Sequence, residues 1–526
     1  NDKPSGSGTK NSEKTNSFVL SVDALVVLWT QVASSHFPAM TRHANALVRA
    51  SGIGALGGVT SSALAGLSDE HRNILRSTPR HLIRNDDSAA VRAAACRALG
   101  ALAALPLPDF GENKVSKIST TSDASLLISA MKDGSKSVRL PASWAIANLC
   151  CALWQGVHVI DSKTLRELAA ACVDAATREG DKVRANAARA LGHIIAVANF
   201  SENEGSQSAC TWLPSVTHAL MSCLTTGNAK TQWNACIAIH SLFSNETSGC
   251  ESGTWSPLII RMCLMLVRDS PNVKLRTHCA ATLAAPPNRD AFGNAYADVV
   301  SVIVGAVEAG FNSDEGGDIG MSKSDGSPAR SNGSHKNAQA SRAGNISSND
   351  FLDPDAVRHA PRLAARLVAT LLRVVSFGTP QDASSVRGTL LKKRNVLRKV
   401  LQTSKLAVQK ARDETSNNAL PEDPFGVQGK AQENSSYDEL AVGGDTSAGA
   451  ALSTGTPQRT SSMDVSALAE ALSPSKSPSK GGKITNDERT NGHSNEIEAA
   501  TRGLSRMYRA LGGDVNEQEA AFYETV

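Results

Sequence analysis

The chain has 526 residues, enough for three or four ordinary domains or one extended array. Its net charge of +4 is small for that length and argues against a protein that coats nucleic acid. Aromatics make up only 4% of residues, so alanine and other small residues must carry much of the packing.

Residues 1–16 are polar and are expected to be disordered. Beginning at Asn1 rather than Met, the sequence reads as a fragment or a processed product. The longest near-apolar stretch, Phe18 to Trp29, is interrupted by Asp23 and is too short to span a bilayer, so no membrane role is expected. From residue 17 to 310 the chain repeats itself. A V-R dipeptide followed by small residues starts at Val48, Val91, Val138 and Val183, and weaker copies start at Thr231 and Leu275, at intervals of 43 to 48 residues. The ninth position of each copy is Leu56, Leu99, Ile146, Leu191, Ile239 or Leu283, and the eighth is Ala55, Ala98, Ala145, Ala190, Ala238 or Thr282. Positions one, five, eight and nine share one face of an α-helix, and small residues there let a neighbouring helix come close. A second apolar helical pattern precedes each copy, for example Leu165, Leu168, Ala169, Cys172 and Ala176. Helix pairs of this size bury their apolar faces only by stacking, which predicts an α-solenoid. Asp86 and Asp133 stand six residues before Arg92 and Arg139, where an acidic side chain suits a helix N-terminus.

The repeat length, the Asp before V-R and the A-x-A-L ending resemble HEAT repeats, over roughly residues 18 to 310. The resemblance implies a right-handed, all-α, armadillo-like superhelix that acts as a non-enzymatic scaffold and binds a protein or peptide segment on its concave, second-helix face. The run from Ser143 to Asn148 is similar to the W-x-x-x-N signature of armadillo repeats. In that family the Trp forms a wall against extended side chains and the Asn amide holds peptide backbone, roles that would fall to Trp144 and Asn148. An equally open alternative has Trp144 packing between repeats. Equivalent positions hold Arg97, then Arg189 with His193, so the inner stripe is expected to be basic with one aromatic.

Residues 311–350 are poor in apolar side chains and read as a disordered insertion within a seventh repeat, since removing them leaves a repeat-sized interval between Leu275 and Val357. Residues 351–412 complete that repeat and add a last helix from about Val386 to Arg412. Nine basic residues between Arg387 and Arg412, without an acid, suit either a solvated helix face or a phosphate-binding or nuclear-import surface. Residues 413–495 are of low complexity, and 496–526 hold one short helix. Ser327, Thr456, Ser473 and Ser477 each precede Pro and have a basic residue three positions on, which resembles the acceptor sites of proline-directed kinases.

All ten cysteines lie between Cys96 and Cys279 without C-x-x-C spacing, and most sit in apolar helical patterns, as expected of buried, reduced thiols in a cytoplasmic or nuclear protein. Cys150-Cys151, His218 with Cys223, and His278-Cys279 are the nearest approaches to zinc ligands and lack paired spacing, so no metal is expected. Gly52, Gly54 and Gly57 fit G-x-G-x-x-G but lie in a helical repeat with no strand before them, so no cofactor is expected either. The histidines have no acid or nucleophile partner evident in the sequence, and no catalytic residues are assigned.

Overall fold

A computed structural model describes residues 21–105, 114–200, 212–250, 255–315, 354–400 and 402. Every regular element among them is helical. They fall into two compact units, meeting in the sequence at Trp255 and Ser256.

The first unit opens irregularly with α1 (Val22–Gln31), a π-helical turn (Val32–His36), α2 (Phe37–Thr41), α3 (Ala46–Gly54), a 3-10 turn (Ala55–Gly58) and α4 (Ser61–Gly66). Regular pairs follow: α5 (Asp69–Asn85) with α6 (Ala89–Ala103), α7 (Lys114–Ala130) with α8 (Lys136–Trp154), α9 (Ser162–Arg178) with α10 (Asp181–Val197), and α11 (Leu213–Thr226) with α12 (Ala229–Ser244). The first helices α5, α7, α9 and α11 form one layer, and the second helices α6, α8, α10 and α12 pack successively in the other. The second unit pairs α13 (Ser256–Asp269) with α14 (Val273–Leu283) and α15 (Tyr296–Glu315) with α16 (Pro354–Ser376), then adds α17 (Pro380–Lys392).

Short polar side chains set where these helices begin. Ser68, Asp161, Asn228 and Asn272 each accept the backbone N–H three residues on, satisfying a donor that the helix itself cannot. Small residues set how closely they stack. Ala98, Ala145, Ala190 and Ala238 are all buried, together with Leu99, Ile146, Leu191 and Ile239 beside them. Gly100 takes this furthest: a Cβ there would lie 2.6 Å from Ala145 Cα, so α6 and α8 meet backbone to backbone.

The V-R arginines join consecutive repeats. Arg49 reaches back to the carbonyls of His43 and Ala44 and forward to Asp86, with Nε at 2.8 Å and Nη2 at 2.9 Å from its two oxygens. Arg92 does the same with the carbonyls of Asp86 and Asp87 and with Asp133, at 2.9 and 3.1 Å. Arg139 reaches Glu179 at 2.7 Å. Asp86 and Asp133 thus have two functions: each accepts a backbone N–H at the start of its own second helix, from Ser88 or Ser135, and each receives the arginine of the preceding repeat. The Arg92 bonds hold Asp133 below the usual carboxylate range. At the next joint Arg184 meets no acid among the described residues; its Nη2 donates to the Thr226 hydroxyl at 2.8 Å, and its Nη1 and Nη2 reach the Thr226 and Ser222 carbonyls. Thr226→Glu supplies the missing charge at this exposed rung, and we expect a gain of about 0.5 kcal/mol. A thermal melt will read it, and the gain will vanish in an Arg184→Gln background.

Gly52 packs against Met40, while Gly54 and Gly57 have open space beside them. All three lie in α3 and the turn after it, and no strand precedes them among the described residues. The G-x-G-x-x-G match therefore falls on a helix end.

Three boundaries differ from expectation. α15 runs to Glu315, past the start of the expected insertion at residue 311. The last helix begins at Pro380 rather than near Val386, because Thr379 and Asp382 form a reciprocal capping box and Pro380 suits the first turn. It breaks at Lys393 and is helical again over 394–400. The stretch Asp290–Ala309 is long and apolar enough to cross a membrane, although no such stretch was expected; half of it is buried by packing within the second unit. Residues 1–16, 316–350, 413–495 and 496–526, for which disorder or a short helix is expected, lie outside the described residues.

Candidate functional site

Counting each second helix from the V of its V-R, or from Thr231 in α12, the seventh residue is Arg97 in α6, Trp144 in α8, Arg189 in α10 and Ile237 in α12. The eleventh is Asn148 in α8 and His193 in α10. The seventh and eleventh residues sit one turn apart, in a less buried row beside the buried alanines. Arg97 is exposed, and Trp144, Asn148, Arg189 and His193 are half-buried.

The Asn148 amide is engaged within the fold. Its Nδ2 donates to the Gly100 carbonyl at 3.4 Å, and its Oδ1 accepts from Arg189 Nη2 at 2.6 Å. One side chain on α8 therefore ties α6 to α10. Other amides make the same kind of link: Asn186 donates to Ser143 Oγ at 3.1 Å, and Asn234 to the Ala185 carbonyl at 2.8 Å. The armadillo resemblance assigns Asn148 to an incoming backbone; in the structure its amide oxygen accepts from Arg189 and orients it.

Arg189 has no carboxylate against it among the described residues, and its buried Nε has no acceptor. Burial lowers its pKa, opposed by the neighbouring Cys151 and Cys150 thiols. His193 is pushed down to about 4, first by burial and then by Arg189, so its imidazole is neutral near pH 7. It lies against Trp154, with ring centroids 5.5 Å apart. The site is a cation held by Asn148 and a neutral imidazole against Trp154.

Further side-chain groupings were not evident in the sequence. Phe200 lies against Trp212 at 4.8 Å and Phe243 against Trp255 at 5.6 Å. Both members of the pair recur 43 residues on, a spacing that could have revealed them. His71 does have hydroxyl partners: its Nε2 is 2.9 Å from Ser34 Oγ and its Nδ1 is 2.7 Å from Ser68 Oγ. Ser34 Oγ also lies 2.7 Å from the Thr30 carbonyl, which can only accept. Ser34 thus spends its proton on that carbonyl and accepts from His71, an order opposite to that of a base-activated nucleophile.

Of the nine described cysteines, all but Cys151 are buried. Among the described residues no three His, Cys, Asp or Glu side chains cluster as a metal site. Ser327, Thr456, Ser473 and Ser477 lie outside the described residues.

No family model matches the chain. Solved structures similar to it include yeast importin-beta, at 12% identity over 93% of this chain and 48% of that one, with a TM-score of 0.45. A designed armadillo repeat protein is 17% identical over 49% of this chain and 99% of its own, with a TM-score of 0.33. An engineered protein is 14% identical over 50% of this chain and 96% of its own, with a TM-score of 0.35. This chain spans about half the length of importin-beta. Within the first unit the stacked helix pairs form an all-α solenoid.

Proposed function

We propose that this chain is a non-enzymatic scaffold that binds an acidic segment of a partner protein across α6, α8 and α10. The carrying observation is Arg189, a guanidinium drawn into the packed face with no carboxylate to balance it among the described residues. A partly buried cation of this kind is stabilised when a ligand oxygen supplies the missing charge, and the planar fork of arginine suits carboxylate or phosphate. Trp144 offers apolar contact, Asn148 holds Arg189 in place, neutral His193 adds no repulsion or attraction for charge, and Arg97 supplies a second cation at the rim. Proline-directed phosphorylation of Ser327, Thr456, Ser473 and Ser477 would add anions to tracts tethered to the array, and the tail carrying Ser473 and Ser477 would then compete for this face. The blocks V-R-A-A-A-C-R-A-L-G and D-K-V-R-A-N-A-A-R-A-L-G-H also support kinship with HEAT repeat-containing protein six, and a cytoplasmic or nuclear location accords with the thiols.

Selection of displayed random peptides tests this reading. The intact chain will enrich acidic peptides, and Arg189→Glu or Trp144→Ala with Asn148→Ala will lose at least about tenfold of that capture, helicity being unchanged. Equal enrichment by these variants overturns it.

A second reading, a nuclear transport or nucleic-acid adaptor, is favoured by Arg387, Lys392 and Arg394, which are exposed along the last described helices. Steeply salt-dependent binding of RNA or DNA that is lost when these three are neutralised will favour it.

A further inference from the structure

The first helices of the two units show different chemistry to water. In the first unit α9 turns one charged row outward, Lys163, Glu167, Asp174 and Arg178, tied by ion pairs four residues apart. In the second unit α13 shows Leu258, Met262 and Met265 instead. Seven residues make two helical turns, so these three also form one row. Leu258 is 48% exposed and Met265 58%, with Met262 half-buried between them. The charges beside this row are already engaged: Arg261 donates to Asn294 Oδ1 at 3.1 Å, and Arg268 pairs with Asp269 at 2.7 Å. What remains on this face is apolar surface with no call for a counter-ion.

A surface of this kind suits the apolar face of an amphipathic helix, and unbranched methionines adapt to the side chains laid on them. The chain's own sequence contains such a segment. Wound as an α-helix, residues 496–512 would carry Ile497, Ala500, Leu504, Met507 and Leu511 along one side and Glu498, Arg502, Arg506 and Arg509 along the other. Glu498 stands four residues before Arg502, the order that supports a helix. From Ile497 to Leu511 the apolar stripe would run about 21 Å, which matches the 14-residue α13. The connection is long enough. Roughly 90 residues separate residue 402 from Glu496, and a random chain of that length spans about 50 Å. Because α13, α15 and α17 pack in succession, only about 20 Å separates α17 from α13.

We infer that residues 496–512 of this chain dock as an amphipathic helix along Leu258, Met262 and Met265 of α13 and cover that row. The apolar stripe meets the row while the arginines of the segment stay in solvent, so docking buries no charge. Since the segment is tethered to the unit it covers, it outcompetes a second copy of the chain in dilute solution. The inference is independent of the α6, α8 and α10 face and stands or falls without it.

Methionine oxidation in the intact chain tests the cover, with mass spectrometry following sulfoxide formation at Met265 under dilute hydrogen peroxide. Leu504→Glu with Leu511→Glu will raise that rate at least about fivefold, helicity being unchanged. A synthetic peptide of residues 496–512, added to this variant, will lower the rate again, and a shuffled peptide will not. A photoreactive phenylalanine analogue in place of Met265 then identifies the occupant: its cross-link will fall within residues 496–512 of the same chain and will be lost in the double variant. An oxidation rate that the double variant leaves unchanged overturns the inference. So does a cross-link to a second copy, to another part of the chain, or to nothing.

Discussion

Replacing Asp382 by asparagine will destabilise the second unit by about 2 to 3 kcal/mol at pH 7, and the deficit will shrink as the solution is acidified. Asp382 faces Arg289 with Nε at 2.8 Å and Nη2 at 2.6 Å, and it also accepts from the backbone and hydroxyl of Thr379. The Arg289 bonds, opposed by burial and aided by Thr379, hold its carboxyl down to about 2, whereas an unfolded aspartate titrates near about 3.9. A group whose folded pKa is depressed contributes stability above its unfolded value and loses it as pH falls through the folded one. The wild type is therefore expected to hold its full advantage above about pH 5 and to converge on Asp382→Asn between about pH 4 and 2. Thermal denaturation of both chains, followed by circular dichroism at pH 7, 4 and 2.5, will show it. A gap that is constant with pH would mean that the charge on Asp382 contributes nothing.

Gly100→Leu will cost about 3 kcal/mol, the upper end of ordinary overpacking, because no flexible group can move aside. The clash is with Ala145 Cα, so α6 and α8 must separate. That separation also pulls the Gly100 carbonyl from Asn148, the residue that orients Arg189. Urea unfolding will measure the loss. Gly134→Leu, at a turn where a Cβ meets nothing within 4 Å, is the matched control and will be nearly neutral.

What the sequence revealed was whatever repeats within one helix. The alanines at the eighth position and the leucines at the ninth are legible because burial on one face imposes its period on the chain. Asp86 and Asp133 are legible as turn residues from their spacing before V-R. Their bonds to Arg49 and Arg92 are not, since those partners lie 37 and 41 residues away and meet only when repeats stack. Asn148 shows the same limit in the binding face. The W-x-x-x-N pattern marked the residue, yet whether its amide waits for a ligand or braces Arg189 depends on how near α10 comes, which no spacing within α8 encodes. His71 and Ser34 are likewise brought together by the packing of α5 near the π-helical turn, across 37 residues.

The arginine bonds also give the array a direction. Each of Arg49, Arg92 and Arg139 is matched by an acid from the following pair, never from the one before. Severing the chain between α6 and α7 would leave Arg92 bare on the leading piece and Asp133 bare on the trailing one. The two broken faces are then of opposite sign and fit only each other's apolar surface, so the pieces rejoin in native order while two copies of either face repel.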